Sequence, residues 1–162
     1  MVGFMKYTAE QREIHKVLRR EFPVVTKINY VEALDRDAWF LEMEAWNADL
    51  PHIISEPYTS SYAKYLETLP KHTMGCHWYN LVFAHLVGGN RTIIQAAAPV
   101  LPEDWMLNSE FLTPVSREEI DGLRIAFEAE AQSWTYDERV ACLHETRRAF
   151  QRAMALNALI FY

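Results

Sequence analysis

Two four-residue signatures constrain this chain more than anything else in it: Ser116-Arg-Glu-Glu119 and Thr135-Tyr-Asp-Glu138. Each sets a hydroxyl at a helix N-cap and a glutamate three residues on, so that side chains and backbone satisfy each other's orphan donors. Two helices must open there, of roughly sixteen and twenty-five residues. In the second, Val140, Leu143, Phe150, Met154 and Phe161 recur close to every three and a half residues, which predicts a buried stripe. Upstream, Thr8 with Gln11 opens a helix that Pro23 stops, and another runs from about Val31 to Asp49, ahead of Pro51. Thr59 or Ser60 opens a shorter helix that ends at Pro70. A further one runs from about His72 to Ala98, before Pro99, and carries Gly88-Gly89 inside it. Strand alternation, internal repeats and low-complexity tracts are missing, and the one long connection, Pro99 to Pro114, carries no domain boundary. The expected fold class is all-α, a single helical bundle in one domain over 1–162.

Composition narrows the functions open to such a bundle. Half of the 162 residues are hydrophobic and 23% are charged, which excludes a disordered chain. A net charge of −6 argues against a non-specific nucleic-acid binder, whose basic face must displace counterions. Cys76 and Cys142 make no disulfide framework and are expected to be small buried thiols in a reducing compartment. Met1–Gln11 carries Lys6 and Glu10 and has no apolar run, so no signal peptide is expected. The longest stretch without Asp, Glu, Lys or Arg, His72 to Asn90, holds histidines, asparagines and glycines that a bilayer core would not accept. The chain is therefore expected to be soluble and not transmembrane.

Helical bundles often hold di-iron centres, which need Glu-x-x-His on one helical face. None of His15, His52, His72, His77, His85 and His144 has a glutamate three residues before it. His72 and Cys76 stand four apart and could share a zinc ion, but a further ligand would have to come from elsewhere; a polar helix start is the plainer reading. Gly-rich phosphate loops, a G-x-S-x-G elbow and an H-E-x-x-H motif are all missing, which leaves nucleotide and hydrolase chemistry unsupported.

Gly88-Gly89 breaks the local rules. Each glycine costs roughly 1 kcal/mol relative to alanine in a helix interior. Such a pair marks a kink or a backbone that must approach something closely. At helical spacing Tyr79, Val82, His85 and Gly89 fall near one face, and a phenol, an imidazole and bare backbone could line a planar ligand. The alternative is a tight helix crossing at the glycine pair, with His85 a satisfied interior histidine.

The segment Cys76-His-Trp-Tyr-Asn-Leu-Val-Phe-Ala-His-Leu-Val-Gly-Gly89 resembles the distal helix of plant and algal plastid heme oxygenases. Glu56-Pro57 followed by Tyr62-Ala-Lys-Tyr-Leu66 is similar to the approach to that helix. Ser133 to Thr146, with Ala149-Phe150, resembles the family's last core helix. Weaker similarity covers Phe22-Pro23 and Ala33-Leu-Asp-Arg36, so the likeness spans roughly Phe22 to Phe161 in order. It implies the heme oxygenase fold, with Gly88 and Gly89 at the bend over heme and His85 in the distal water network. It also implies Tyr79 near one propionate and Arg147 pairing with one. Without heme, Tyr79 is simple core and Arg147–Arg148 a solvated face.

The chain also departs from that pattern. In the family the proximal histidine lies on a helix before the segment that Phe22-Pro23 resembles, and this chain is expected to be N-terminally shortened, without that helix. Asn90-Arg91-Thr92 stands where the family has a basic residue directly after the glycines. By register His15 matches the element after the proximal one; alternatively Glu13-Ile14-His15 is itself the proximal motif, with His15 the metal ligand to heme iron. The resemblance and its departures imply a degenerate heme-oxygenase-like protein, a structural or binding subunit of a larger plastid (chloroplast) assembly, with no cofactor. Its partners would be protein subunits docked on the side left bare by the missing helix, where Trp78, Val82, Phe127, Phe150 and Met154 should be uncovered. The alternative is a shortened heme oxygenase that uses His15, oxygen and ferredoxin-type electrons to open heme to biliverdin, iron and carbon monoxide. A third reading is a helical interaction module that binds no ligand.

Overall fold

A computed structural model describes residues 2–21, 60–84, 87, 88, 90–100 and 116–161. The helix expected over Val31–Asp49, most of the Pro99–Pro114 connection, and His85 and Gly89 lie outside the described residues. The described residues are helical with short turns, and no strand occurs among them, as the sequence predicts for an all-α fold.

Helix α1 spans Val2–Glu21. It begins earlier than the Thr8 cap implies because Tyr7, one turn inside the extra segment, is buried with Ile14 and Leu18 on the same face. At 3.6 residues per turn these positions stack into one inward ridge. Gln11 Nε2 donates to the buried Tyr7 Oη at 2.9 Å, one turn away on the same helix. Helix α2, Ser61–Glu67, opens at Ser60, whose Oγ accepts from the Ala63 N–H at 2.8 Å. The same hydroxyl donates to Glu10 Oε1 at 2.6 Å, so one residue caps α2 and ties it to α1. Pro70 separates α2 from α3, Lys71–Trp78.

Beyond Trp78 the chain makes a π-turn over Tyr79–Phe83, and helix resumes at α4, Asn90–Ala97. A π-turn adds one residue to the helical ladder and shifts every later side chain around the axis. Helices α5, Arg117–Gln132, and α6, Tyr136–Ala158, open on the two capping boxes seen in the sequence. Ser116 Oγ accepts from Glu119 N at 3.2 Å and Glu119 Oε2 accepts from Ser116 N at 2.7 Å. Thr135 and Glu138 repeat the exchange at 3.3 and 2.8 Å. The Ser116 hydroxyl and N–H hold Glu119, and the Thr135 N–H and hydroxyl hold Glu138, below the ordinary carboxylate value.

The core gathers Leu66, Trp78, Leu81, Leu123 and Leu156 around the α1 ridge. Trp78 stacks on Phe127 of α5 with ring centroids 5.4 Å apart and 8° between the planes. Phe127 in turn meets Trp134 edge-on at 6.2 Å. A Cβ on Gly75 would lie 2.7 Å from the Trp134 ring, so α3 can seat there only because residue 75 has no side chain.

The stripe expected to be buried on α6 faces outward instead. Leu143 is 72% exposed, Phe150 59%, Met154 60% and Phe161, in the turn after α6, 72%. The inward face carries Glu145, Ala149 and Leu156, on the opposite side of the helix at about 100° per residue. Bulk does not choose the inner face here; the demands of α3 do, since it needs a carboxylate and small neighbours. Of the residues expected to be uncovered, Trp78 and Val82 are buried and Phe127 partly so, each held by ring or core contacts, while Phe150 and Met154 are exposed.

Candidate functional site

The most elaborate arrangement of polar side chains lies at the junction of α2, α3 and α6. His77, on α3, is completely buried. Its Nδ1 is 2.7 Å from Tyr62 Oη of α2, and its Nε2 is 3.3 Å from Glu145 Oε1 of α6. One proton arrangement satisfies both contacts: the Tyr62 O–H donates to Nδ1, and Nε2–H donates to the carboxylate. Tyr65 Oη donates to Glu145 Oε1 at 2.5 Å, and Arg148 Nη1 donates to Oε2 at 3.2 Å. The Arg152 guanidinium lies 3.8 Å from the Tyr65 ring centre and 5.5 Å from that of Tyr62, a cation–π contact that closes the cluster.

The charges follow from this geometry. Burial pushes the His77 imidazole below its ordinary value, against the upward pull of Glu145, so the ring is neutral. Burial pushes the Glu145 carboxyl up, but the hydrogen bonds from Tyr65, His77 and Arg148 outweigh it and leave the group below its ordinary value. Burial raises Tyr62 well above the ordinary phenol range. Both ring nitrogens of His77 are engaged and its ring is sealed from solvent. The cluster holds three helices in register.

The residues the sequence pointed to fall elsewhere. Tyr79 is 42% exposed, its ring 4.7 Å from Phe83 and 5.7 Å from Phe127. Val82 is buried, and His85 and Gly89, with which Tyr79 and Val82 were expected to share a face, lie outside the described residues. Gly88 has φ +147°, a conformation that L side chains rarely adopt, and nothing lies within 4 Å of where its Cβ would be. A tight crossing is therefore not what Gly88 provides; Gly75 provides one. Arg147 is exposed on α6 and makes no ion pair among the described residues. His15 is 7% exposed on α1, beside the fully buried Ile14. His72 Nδ1 lies 3.6 Å from Glu138 Oε1, and no cluster of three metal-ligating side chains occurs among the described residues.

Heme, the group the resemblance implies, needs an imidazole presented to an open face. Among the described residues His15 and His77 are both buried. The described donors do not make a heme cradle. Sequence reasoning missed His77 and Glu145 as partners, although both lie inside the segments that carried the resemblance. A buried histidine on α3 with Tyr62 and Tyr65 one turn apart on the preceding helix is the signal that could have found the hub.

Comparison with known proteins agrees with the resemblance. The chain is similar to "Probable inactive heme oxygenase 2, chloroplastic" of Oryza sativa subsp. japonica, with 26% identity over 99% of this chain and 51% of that protein. Its namesake in Arabidopsis thaliana is 25% identical over 92% of the chain and 52% of its own length. "Heme oxygenase 1, chloroplastic" of Oryza sativa subsp. japonica is 25% identical over 98% of the chain and 58% of its own. The chain thus spans about half the length of the curated relatives it matches. No protein-family model matches it, and no solved structure does. The chain is heme-oxygenase-like, with an all-α fold consistent with that likeness, and no helix among the described residues is long and apolar enough to cross a membrane.

Proposed function

We propose that this protein is a catalytically degenerate heme-oxygenase-like protein that works as a binding or structural subunit of a plastid assembly. The observation that carries the reading is the outer face of α6, where Leu143, Phe150 and Met154 stand 59–72% exposed along one side of a helix. Rows of large apolar side chains kept in water usually mark an interface. Two further points support it. His15, the upstream histidine that could ligate heme iron, is 7% exposed within the core face of α1. Two relatives carry names that describe them as inactive heme oxygenases, and both are chloroplastic.

The competing reading is a heme oxygenase that uses His15 as axial ligand and a ferredoxin-type donor; the 25% identity to a rice heme oxygenase 1 favours it. Hemin titration separates the two. The degenerate reading expects no sharp Soret band and no biliverdin with reductant and oxygen. A band that disappears in His15→Ala, with biliverdin formed in step, would overturn it. Light scattering tests the subunit role: a clean monomer at tens of micromolar that binds no apolar dye would defeat it.

A further inference from the structure

The two cysteines, widely spaced in sequence, meet in the fold. Helices α3 and α6 run parallel, as two contacts show: His72 to Glu138 at 3.6 Å and His77 to Glu145 at 3.3 Å. Cys76 lies one turn beyond His72, and Cys142 one turn beyond Glu138, so the same register sets the thiols opposite one another between those contacts. At that point of the seam Cys76 is buried and Cys142 half-buried.

We propose that Cys76 and Cys142 form a redox-active dithiol, which a hydroperoxide oxidises to a disulfide bridging α3 and α6. The division of labour follows from their surroundings. Cys142, the more accessible, is held below its ordinary value, first by Cys76 beside it. Cys76 is held up, first by Cys142 and then by burial, and its S–H donates to the Thr73 carbonyl at 3.1 Å. Cys142 is therefore the attacking thiolate and Cys76 the resolving thiol.

In the first step the Cys142 sulfur attacks one peroxide oxygen and the O–O bond breaks. Cys142 becomes a sulfenic acid, and the departing hydroxide takes a proton to leave as water. In the second the Cys76 sulfur attacks the Cys142 sulfur, the S–O bond breaks, and the hydroxide released takes the Cys76 proton as a second water. Two thiols lose two electrons, hydrogen peroxide is reduced to two waters, and a dithiol reductant reverses the bridge. The disulfide would lie beside His77 and Glu145 and lock the seam they hold.

The test uses the full chain with equimolar hydrogen peroxide. Intact mass should fall by about 2 Da, the loss of two hydrogens, and thiol titration in denaturant should go from two to none, with dithiothreitol restoring both. The melting temperature should rise on oxidation in the wild type and stay put in Cys142→Ser. A mass gain of one or more oxygens on Cys142 with Cys76 still titratable would overturn the proposal. Disulfide-linked dimers on a non-reducing gel in place of an internal bridge would overturn it equally.

Discussion

Gly75, in α3, and Gly88, just ahead of α4, are needed for opposite reasons. At Gly75 the backbone is ordinary helix and the space is full: an added Cβ would meet Trp134 at 2.7 Å. At Gly88 nothing among the described residues lies within 4 Å of an added Cβ, and the backbone, at φ +147°, is the demanding part. Gly75 is buried together with Cys76, His77 and Trp78, whereas Gly88 is exposed. The difference teaches that a glycine can mark either a crowded seam or a bend, and that only its surroundings say which.

The contrast can be broken by substitution. Gly75→Val should cost the most, about 3 kcal/mol, because α3 must lift off Trp134, and urea unfolding will read it. If Gly88→Val costs more in the same assay, the crowded and open ends have been assigned backwards. Next comes His77→Leu, expected to cost about 2 kcal/mol by leaving the Tyr62 hydroxyl and Glu145 short of a partner. Its pH signature sharpens the assignment. His77 is depressed below 6.5 in the folded state, so the unfolded chain takes up its proton first and stability falls as pH drops below about 6.5. Glu145, also depressed, adds a second loss only as pH falls below about 4.5. His77→Leu should erase the upper stage and keep the lower; an unchanged profile would refute a neutral buried ring.

Gly88→Ala should follow at about 1 kcal/mol, the strain of a side chain at positive φ, with no change in core packing by near-ultraviolet dichroism. Smallest of all, Phe150→Ser should shift the stability of the isolated chain by less than about 0.5 kcal/mol, since the ring is already in water. The same change should weaken association in light scattering; a large loss of stability instead would mean that the outer face of α6 is covered within the chain.

Much of this architecture is written locally and could be read. Ser60, Ser116 and Thr135 cap the helices they announce, and Pro70 ends the helix it should. What could not be read depends on partners distant in sequence. The apolar spacing of Leu143, Phe150 and Met154 identifies a face but not its direction, which is set by His77 on another helix. The π-turn at Tyr79–Phe83 has no spacing signature. Gly75 passed unnoticed because a single glycine in a helix says nothing of the Trp134 ring above it. Of the candidate site, His15, Tyr79, Gly88 and Arg147 could be located, on α1, in the π-turn, just ahead of α4 and on α6, while His85 and Gly89 lie outside the described residues.

The hub has a consequence for the order of events at the ribosome. His77 and Glu145 are 68 residues apart, so at ordinary synthesis rates roughly 3–14 s separate their emergence. During that interval α1 and α2 can pair through Glu10 and Ser60, while His77 has its Tyr62 hydrogen bond but not yet the Glu145 carboxylate. A chain whose central polar contacts wait for its last long helix is exposed to aggregation until that helix arrives, and chaperone dependence of the nascent protein follows from where Glu145 stands.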